Sequence, residues 1–382
     1  MRGACEALMV VIGVDTHKKT HTLVGVDPGG RKLGELTVPA TTAGHRKALG
    51  WARDSFELEL TWGIEDCRNL SRRLEQDLLD AGQRVVRVPP HLMARTRASA
   101  RTRGKSDPID ALAVARAVLR EPDLPMATHD EVSRELKLLV DRREDLVSQR
   151  SATTNRFLWR VHELDPSHAP KSRSLDRAKT VKALNGWLTT QPGLVAELAR
   201  QELSDITRLT LEIEALEGRI GIRVRTYAPS LLGIYGCAEL TAAKIVGETA
   251  DVSRFRSEAA FASYAGLAPT PRWSGQARIY LVGSRSGNRQ LNTALYRIAL
   301  VQISHTSAGR SYYEKRCDAH QDSPPEAIRR LKRRIARTVF ARLRADRENR
   351  PTTRRPLTSF PELEQVNAQW ANALASLGVH AP

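Results

Sequence analysis

Cysteine is scarce and scattered in this chain. Cys5, Cys67, Cys237 and Cys317 are the only four in 382 residues, with no Cys-x-x-Cys pair and no histidine at ligand spacing. That excludes a disulfide framework and a zinc finger, and it fits a reducing cytoplasm. Long hydrophobic runs are missing too, since nothing approaches the roughly 18 apolar residues of a spanning helix. The run Ala7–Val14 is short, closes on Asp15 and lacks a small-residue cleavage site, so it reads as a strand and not a signal peptide. Acids are fewer than bases, 43 against 60, leaving a net charge of +17 and a pI of about 10.2. Such a surplus favours a polyanionic partner over a membrane, although a solvated basic surface is the alternative. One glycine is also lacking. Gly104-Lys105-Ser106 would complete a Walker loop only with glycine at position 99, where Ser99 stands, so nucleotide hydrolysis is excluded.

The length suffices for two or three domains. Residues 9 to 120 alternate strand and helix patterns. Strands are expected at Val10–Asp15, Thr22–Val26, Lys32–Val38, Leu58–Glu65 and Arg84–Val88, and helices at Thr42–Ser55, Asn69–Ala81 and Asp107–Arg120. Three strands joined by short turns form an antiparallel meander, and the later strands, separated by helices, run parallel. That order predicts an α/β, RNase H-like fold, a mixed sheet with helices on both faces. Residues 131–225 predict a helical arm, with a seam at Leu203, Ile206, Leu209, Ile213, Leu216 and Ile220. Residues 165–194, holding Pro166, Pro170, Gly186, Pro192 and Gly193, read as a turn-rich connection between two antiparallel helices. From 226 onward the chain is mostly α. Leu231–Ile245 resembles a weak helix-hairpin-helix, Ser286-Gly287-Asn288 caps a helix starting near Arg289, and Ile328, Leu331, Ile335, Val339 and Leu343 form a helical stripe. The tail beyond Asn349 is expected to be loosely ordered.

Four acids carry the chemistry. Asp15 ends the first apolar run and Glu65 ends Leu60-Thr61-Trp62-Gly63-Ile64. Asp107 and Asp110 share one helix face, with Asp107 expected as the N-cap before Pro108. Converging carboxylates repel one another, so they make physical sense around a hard cation, Mg2+ or Mn2+. On a basic chain the natural substrate of such a site is a phosphodiester. Strand alternation lets only one of Glu65 and Asp66 join the cluster. His17 and His21 stand nearby and read as surface or phosphate contacts. Arg95, Arg97, Arg101, Arg103 and Lys105 form a phosphate-contacting rail upstream of the helical acids. Arg329, Arg330, Lys332, Arg333, Arg334 and Arg337 crowd a second cationic face with no acid among them, which an anion would relieve.

Four segments together resemble one family. They are Val11-Ile12-Gly13-Val14-Asp15, Ile64-Glu65-Asp66-Cys67-Arg68, Gly104-Lys105-Ser106-Asp107-Pro108-Ile109-Asp110-Ala111, and the late set Gly266-Leu267-Ala268-Pro269, Ser274-Gly275 and Gly287-Asn288-Arg289-Gln290-Leu291-Asn292. In that order they are similar to the DEDD transposases of the insertion-sequence "one-ten" family, which includes the Piv-type DNA invertases. The resemblance implies a RuvC-like catalytic domain at 9–130, a coiled-coil arm at 131–225, a C-terminal transposase domain at 226–345 and a tail at 346–382. It places the four family acids on Asp15, Glu65, Asp107 and Asp110, and the family's serine nucleophile on Ser274. It further implies DNA strand exchange, a structured bridge RNA as guide and a dimer or tetramer. Two rivals stay open: a junction nuclease that only hydrolyses, and a non-catalytic nucleic-acid-binding protein.

Overall fold

The computed structural model describes residues 9–56, 59–65, 70–89, 92, 106–121, 124, 126, 127, 130–272, 280–283 and 287–349. Contacts divide the chain into two compact units, residues 1–129 with 253–256, and residues 130–252 with 257–382.

In the first unit the apolar runs become β1 (Val10–Thr16), β2 (Thr20–Val26), β3 (Lys32–Pro39), β4 (Leu60–Glu65) and β5 (Arg84–Val88). Between them lie α1 (Thr42–Phe56) and α2 (Arg72–Asp80), and α3 (Asp107–Arg120) follows. The strand order is β3-β2-β1-β4-β5. The pairs β1·β2 and β2·β3 are antiparallel, and β1·β4 and β4·β5 are parallel. This is the mixed sheet expected from the sequence. Alternate residues of β1 face opposite layers. Ile12 and Val14 join Trp62, Leu74, Leu78 and Ala48 in the core under α1 and α2, whereas Val11 packs with Val24, Ala111 and Ala115 of α3. Burial on both faces explains why β1 is apolar without alternation.

Two glycines set how near α3 comes. Gly13 and Gly63 are paired in the β1·β4 ladder. A Cβ on Gly13 would lie 2.1 Å from Ala111 O and 2.4 Å from Ala115 N; one on Gly63 would lie 2.5 Å from Val118 Cγ2. The helix backbone therefore rests directly on the sheet. On the sheet's other face, His45 of α1 is buried and its Nδ1 donates to Asp77 Oδ2 at 2.5 Å. Its ring stacks on buried His21, centroids 5.2 Å apart.

In the second unit, α4 (Glu131–Leu164) and α6 (Leu194–Tyr227) form the arm. Each has 34 residues, about 50 Å at 1.5 Å per residue. Leu203, Ile206, Leu209, Ile213 and Ile220 of the expected seam are buried and Leu216 is partly buried. Two arginines of α4 serve as interhelical ties: Arg143 Nε donates to Glu217 Oε1 at 2.9 Å, and Arg150 Nε to Thr210 Oγ1 at 2.7 Å. The connection differs from expectation, because residues 165–194 contain a helix, α5 (Ala178–Thr190). Its Leu184 and Leu188 pack against Phe157, Val161, Leu203 and Ile206. Two buried leucines contribute roughly 2–3 kcal/mol each, which outweighs the roughly 1 kcal/mol that Gly186 costs a helix.

The remainder is α7 (Pro229–Leu232), α8 (Glu239–Thr249), α9 (Glu258–Tyr264), a two-stranded sheet of β6 (Pro269–Arg272) and β7 (Tyr280–Gly283), then α10 (Arg289–Ser304), α11 (Ala308–Asp318) and α12 (Pro324–Glu348). The turn between α7 and α8 holds Gly236 at φ +86°. Asn288 caps α10 as expected, its side chain accepting from Leu291 N at 2.9 Å. Leu331, Ile335, Val339 and Leu343 of the α12 stripe are buried. The tail from 350 lies outside the described residues. Among the described residues no helix is long and apolar enough to cross a membrane.

Two outcomes are expected in unfolding experiments. Gly13→Ala forces α3 off the sheet and lowers stability by about 2 kcal/mol or more, as overpacking against backbone does; wild-type stability would refute the close approach. The second concerns pH. Burial, with His45 and His17 adding to it, pushes the His21 imidazole down to about 4 from 6.5. The unfolded chain then binds the proton first as pH falls. The stability this group contributes is present above about pH 6.5 and is lost toward pH 4, up to about 3 kcal/mol. Denaturation midpoints that stay level across that window would contradict it.

Candidate active site

Asp15 and Glu65 occupy the C-terminal ends of adjacent parallel strands, one step beyond the paired residues Val14 and Ile64. On β1, residues 11, 13 and 15 share the face that carries α3, so Asp15 is aimed toward that helix. On β4 the same alternation puts Glu65 on the face of Gly63, which Val114 and Val118 of α3 cover. Helix rows at spacing four complete the arrangement. The row 107-111-115 runs over Gly13 of β1, and the row 110-114-118 over Gly63 of β4. Asp107 therefore belongs with Asp15, and Asp110 with the Glu65 strand.

The helix starts at Asp107 as expected, but its N-cap lies one residue earlier than the expected Asp107. Ser106, with φ −150° and ψ 151°, is the N-cap position, and its carbonyl accepts from Asp110 N at 3.1 Å. Asp107 is the first helical residue, so its carboxylate is not consumed by capping.

Asp15, His17 and Asp107 offer ligand atoms that all lie within 4.8 Å of one another. His17 Nε2 is 3.1 Å from Asp15 Oδ2 and 3.4 Å from Asp107 Oδ1. A three-residue turn, closed by His17 N donating to Thr20 O at 3.0 Å, returns the chain into β2 just beyond this point. His17 is thus a member of the cluster, where the sequence suggested a surface or phosphate contact. Its signal was the Asp15-Thr16-His17 spacing, which puts both side chains on one face of an extended strand. Glu65 and Asp110 lie outside the 4.8 Å set. Asp110 still acts on Asp15: burial raises the Asp15 pKa most, His17 opposes it, and the charges of Asp110 and Asp107 raise it further. Two carboxylates and an imidazole are a fitting donor set for a divalent cation, which would also relieve the repulsion recorded in Asp15.

Ser274 and the rail Arg95, Arg97, Arg101, Arg103 and Lys105 lie outside the described residues. By sequence, Ser274 falls between β6 and β7. The apolar stretch after it, Tyr280-Leu281-Val282, is the second strand of that hairpin.

The α12 cations are not an uncompensated row. Arg330 Nε is 2.8 Å from Asp322 Oδ2, Arg333 Nη1 2.7 Å from Glu258 Oε1, and Arg337 Nε 3.4 Å from Glu258 Oε2. Lys332 Nζ donates to Asn292 Oδ1 at 2.9 Å, and burial, helped by Arg329, lowers its pKa. The sequence expectation of unrelieved repulsion is corrected here, because acids from other elements supply the countercharge. A groove of about 680 Å3 remains beside this face, lined by Tyr312, Arg330, Arg333, Arg334, Arg337 and Arg342 with Glu258 the one acid. The Arg334 guanidinium lies over the Tyr312 ring, 5.1 Å from its centroid.

Comparison with known proteins adds a family. A model described as a transposase of the DEDD, IS110 type matches residues 12–163, and a second, described as Transposase IS116/IS110/IS902 family, matches residues 228–314. An uncharacterized 42 kDa protein of insertion element IS900 from Mycobacterium paratuberculosis is 28% identical over 342 residues, covering 77% of this chain and 85% of that protein. An uncharacterized 43.6 kDa protein of insertion element IS110 from Streptomyces coelicolor is 26% identical over 394 residues, covering 89% and 95%. Among solved structures, T. thermophilus RuvC in complex with a Holliday junction substrate covers 31% of this chain and 99% of its own, at 16% identity and a TM-score of 0.26.

Mn2+ titration by calorimetry tests the donor set. Asp15→Asn and His17→Ala are each expected to weaken binding by about tenfold or more. Because the ion competes with a proton for Asp15, affinity should also fall as pH drops through that raised pKa. Unchanged affinity in Asp15→Asn would remove the carboxylate from the site.

Proposed function

As the chain belongs to the IS110 family of insertion-sequence transposases, we propose that it is a DNA recombinase that cleaves and exchanges strands at the ends of its own mobile element. The observation that carries this reading is the convergence of Asp15 and Asp107 beside His17 at the end of the sheet, on a chain of net charge +17. Asp15, Asp107, Asp110 and Glu65 would hold a divalent ion, Mg2+ or Mn2+, with His17 as a further donor. Such an ion, when bound, stabilises negative charge on the attacking and leaving oxygens of phosphoryl transfer.

Ser274 supplies the nucleophile in this proposal. Its Oγ attacks the scissile phosphorus, an Oγ–P bond forms, and the bond to the leaving strand's oxygen breaks. The serine proton goes to a base and the leaving oxygen ends as a hydroxyl. The phosphoserine ester keeps the energy of the broken bond, so the reverse attack by a strand hydroxyl rejoins DNA without ATP. A second strand can replace the first at that step, which turns cleavage into exchange. Exchange needs two cleaved ends held together, so a dimer or tetramer is part of the proposal, as is a structured bridge RNA that brings the DNA sites into register. The arginines of the α12 groove and of the 95–105 rail suit phosphate backbones, whose binding should weaken steeply with salt.

Recombination on a plasmid bearing the element ends separates the possibilities. Ser274→Ala is expected to abolish the covalent protein–DNA adduct and strand exchange. Asp15→Ala and Asp107→Ala are each expected to slow cleavage by about a thousandfold or more. Exchange that survives in Ser274→Ala would replace the serine mechanism with one that uses the acids alone.

A further inference from the structure

The strands β6 and β7 belong to the second unit and stand, along the chain, between Gly266 and Gly287. A two-stranded ribbon with four residues per strand is marginal by itself, so its direction is set at its root. That root is tightly built. Gly287, at φ +108°, approaches so closely that a Cβ there would lie 2.5 Å from Gly266 N and 2.9 Å from Tyr264 O. Asn288 N donates to Tyr264 O at 2.7 Å, and Asn292 Nδ2 donates to Ala265 O at 2.7 Å.

Asn288 does more than cap α10. Its Nδ2 donates to Glu248 Oε2 at 2.6 Å and to the Tyr264 hydroxyl at 3.0 Å. Glu248 is buried, and its other oxygen, Oε1, accepts from Lys137 Nζ of the arm at 2.5 Å. One carboxylate therefore joins α4 to the hairpin root. The seat is close on the backbone side as well, since a Cβ on Gly247 would lie 2.9 Å from Lys137 Cα. Burial disfavours the Lys137 ammonium, but Glu248 and Asp141 outweigh it and raise its pKa, so the lysine stays charged. An apolar residue at 248 would pack α8 without this cost. A buried charge with both oxygens engaged instead fixes a direction.

We propose that Lys137, Glu248 and Asn288 form a positioning clamp through which the helical arm sets the orientation of the β6–β7 hairpin. The consequence for catalysis rests on the reading of Ser274 as nucleophile, because that serine falls within the hairpin by sequence. The arm would then regulate the serine. Whatever shifts α4, such as pairing with a second copy, is transmitted by two hydrogen bonds to the root of the hairpin.

The test uses the full chain with hydrogen–deuterium exchange over residues 266–290, and adduct formation on a plasmid bearing the element ends. Glu248→Ala is expected to speed exchange across 266–290 by about tenfold and to slow adduct formation by at least about tenfold. Lys137→Met, whose lysine is partly exposed, should do the same to a smaller degree and serves if Glu248→Ala does not fold. Glu248→Gln keeps one acceptor for Asn288 but turns an N–H donor toward the Lys137 ammonium, so it is expected to fall between the wild type and Glu248→Ala, close to Lys137→Met, a grading that loss of packing alone would not show. Exchange over 266–290 that stays at the wild-type rate in both Glu248→Ala and Lys137→Met overturns the clamp. If exchange rises in these variants while the wild type itself forms no adduct, the clamp stands and the serine reading fails.

Discussion

The site depends on how closely α3 lies against the sheet. Gly13 and Gly63 are neighbours across the β1·β4 ladder, and each presents bare backbone to the helix. With a side chain at either position the helix would stand off by a carbon's width. Asp107 and Asp110 would then withdraw from the strand ends. The glycines thus convert a generic strand–helix layer into a fixed juxtaposition of acids. The arrangement is costly in itself: burial first, and then the charges of Asp110 and Asp107, raise the pKa of Asp15. Repulsion among carboxylates persists only where the surrounding fold holds them in place, here by burial of Ala111, Val114 and Ala115 beneath them.

Electrostatics elsewhere in the chain follows the opposite logic. The surplus of cations is extensively compensated within the second unit. Glu258 takes Arg333 and Arg337, Asp322 takes Arg316 and Arg330, and Glu202 lies within 3.6 Å of both Arg156 and Arg160. These pairs orient guanidinium groups along element surfaces without cancelling the net positive charge. The α12 groove keeps the imbalance locally, with five arginines around one glutamate. In the proposed function, prearranged cations of this kind would meet a phosphate backbone with little reordering, which lowers the entropic cost of binding.

The C-terminal elements use polar contacts where the N-terminal unit uses packing. Asn288, Asn292, Tyr264 and Glu248 tie the root of a short hairpin to three helices. Directional bonds suit a segment too small to bury its own core. Lys332 extends the same network to α12 through Asn292, so the hairpin root and the basic face share one lysine.

Much of this was written locally. Apolar runs, turn residues and a helical period fix β5 at Arg84–Val88 and α3 at Asp107–Arg120 to the residue, because each signal lies within the element it describes. The arm's seam and the stripe of α12 were legible for the same reason. Asp15 and Glu65 could be placed at strand ends, and alternation alone turned them toward one face. Other features exist only in three dimensions. The helix Ala178–Thr190 is stabilised by leucines meeting Phe157 and Ile206, residues that no local pattern connects to it. His17 becomes a partner of Asp107 only because α3 folds back over β1, and Glu258 neutralises arginines more than 70 positions away. The amino-acid sequence determined which elements form and which faces they bury, since those depend on neighbours in the chain. Tertiary packing decided which charges meet, because electrostatic partners are chosen by distance in space and not by spacing along the backbone.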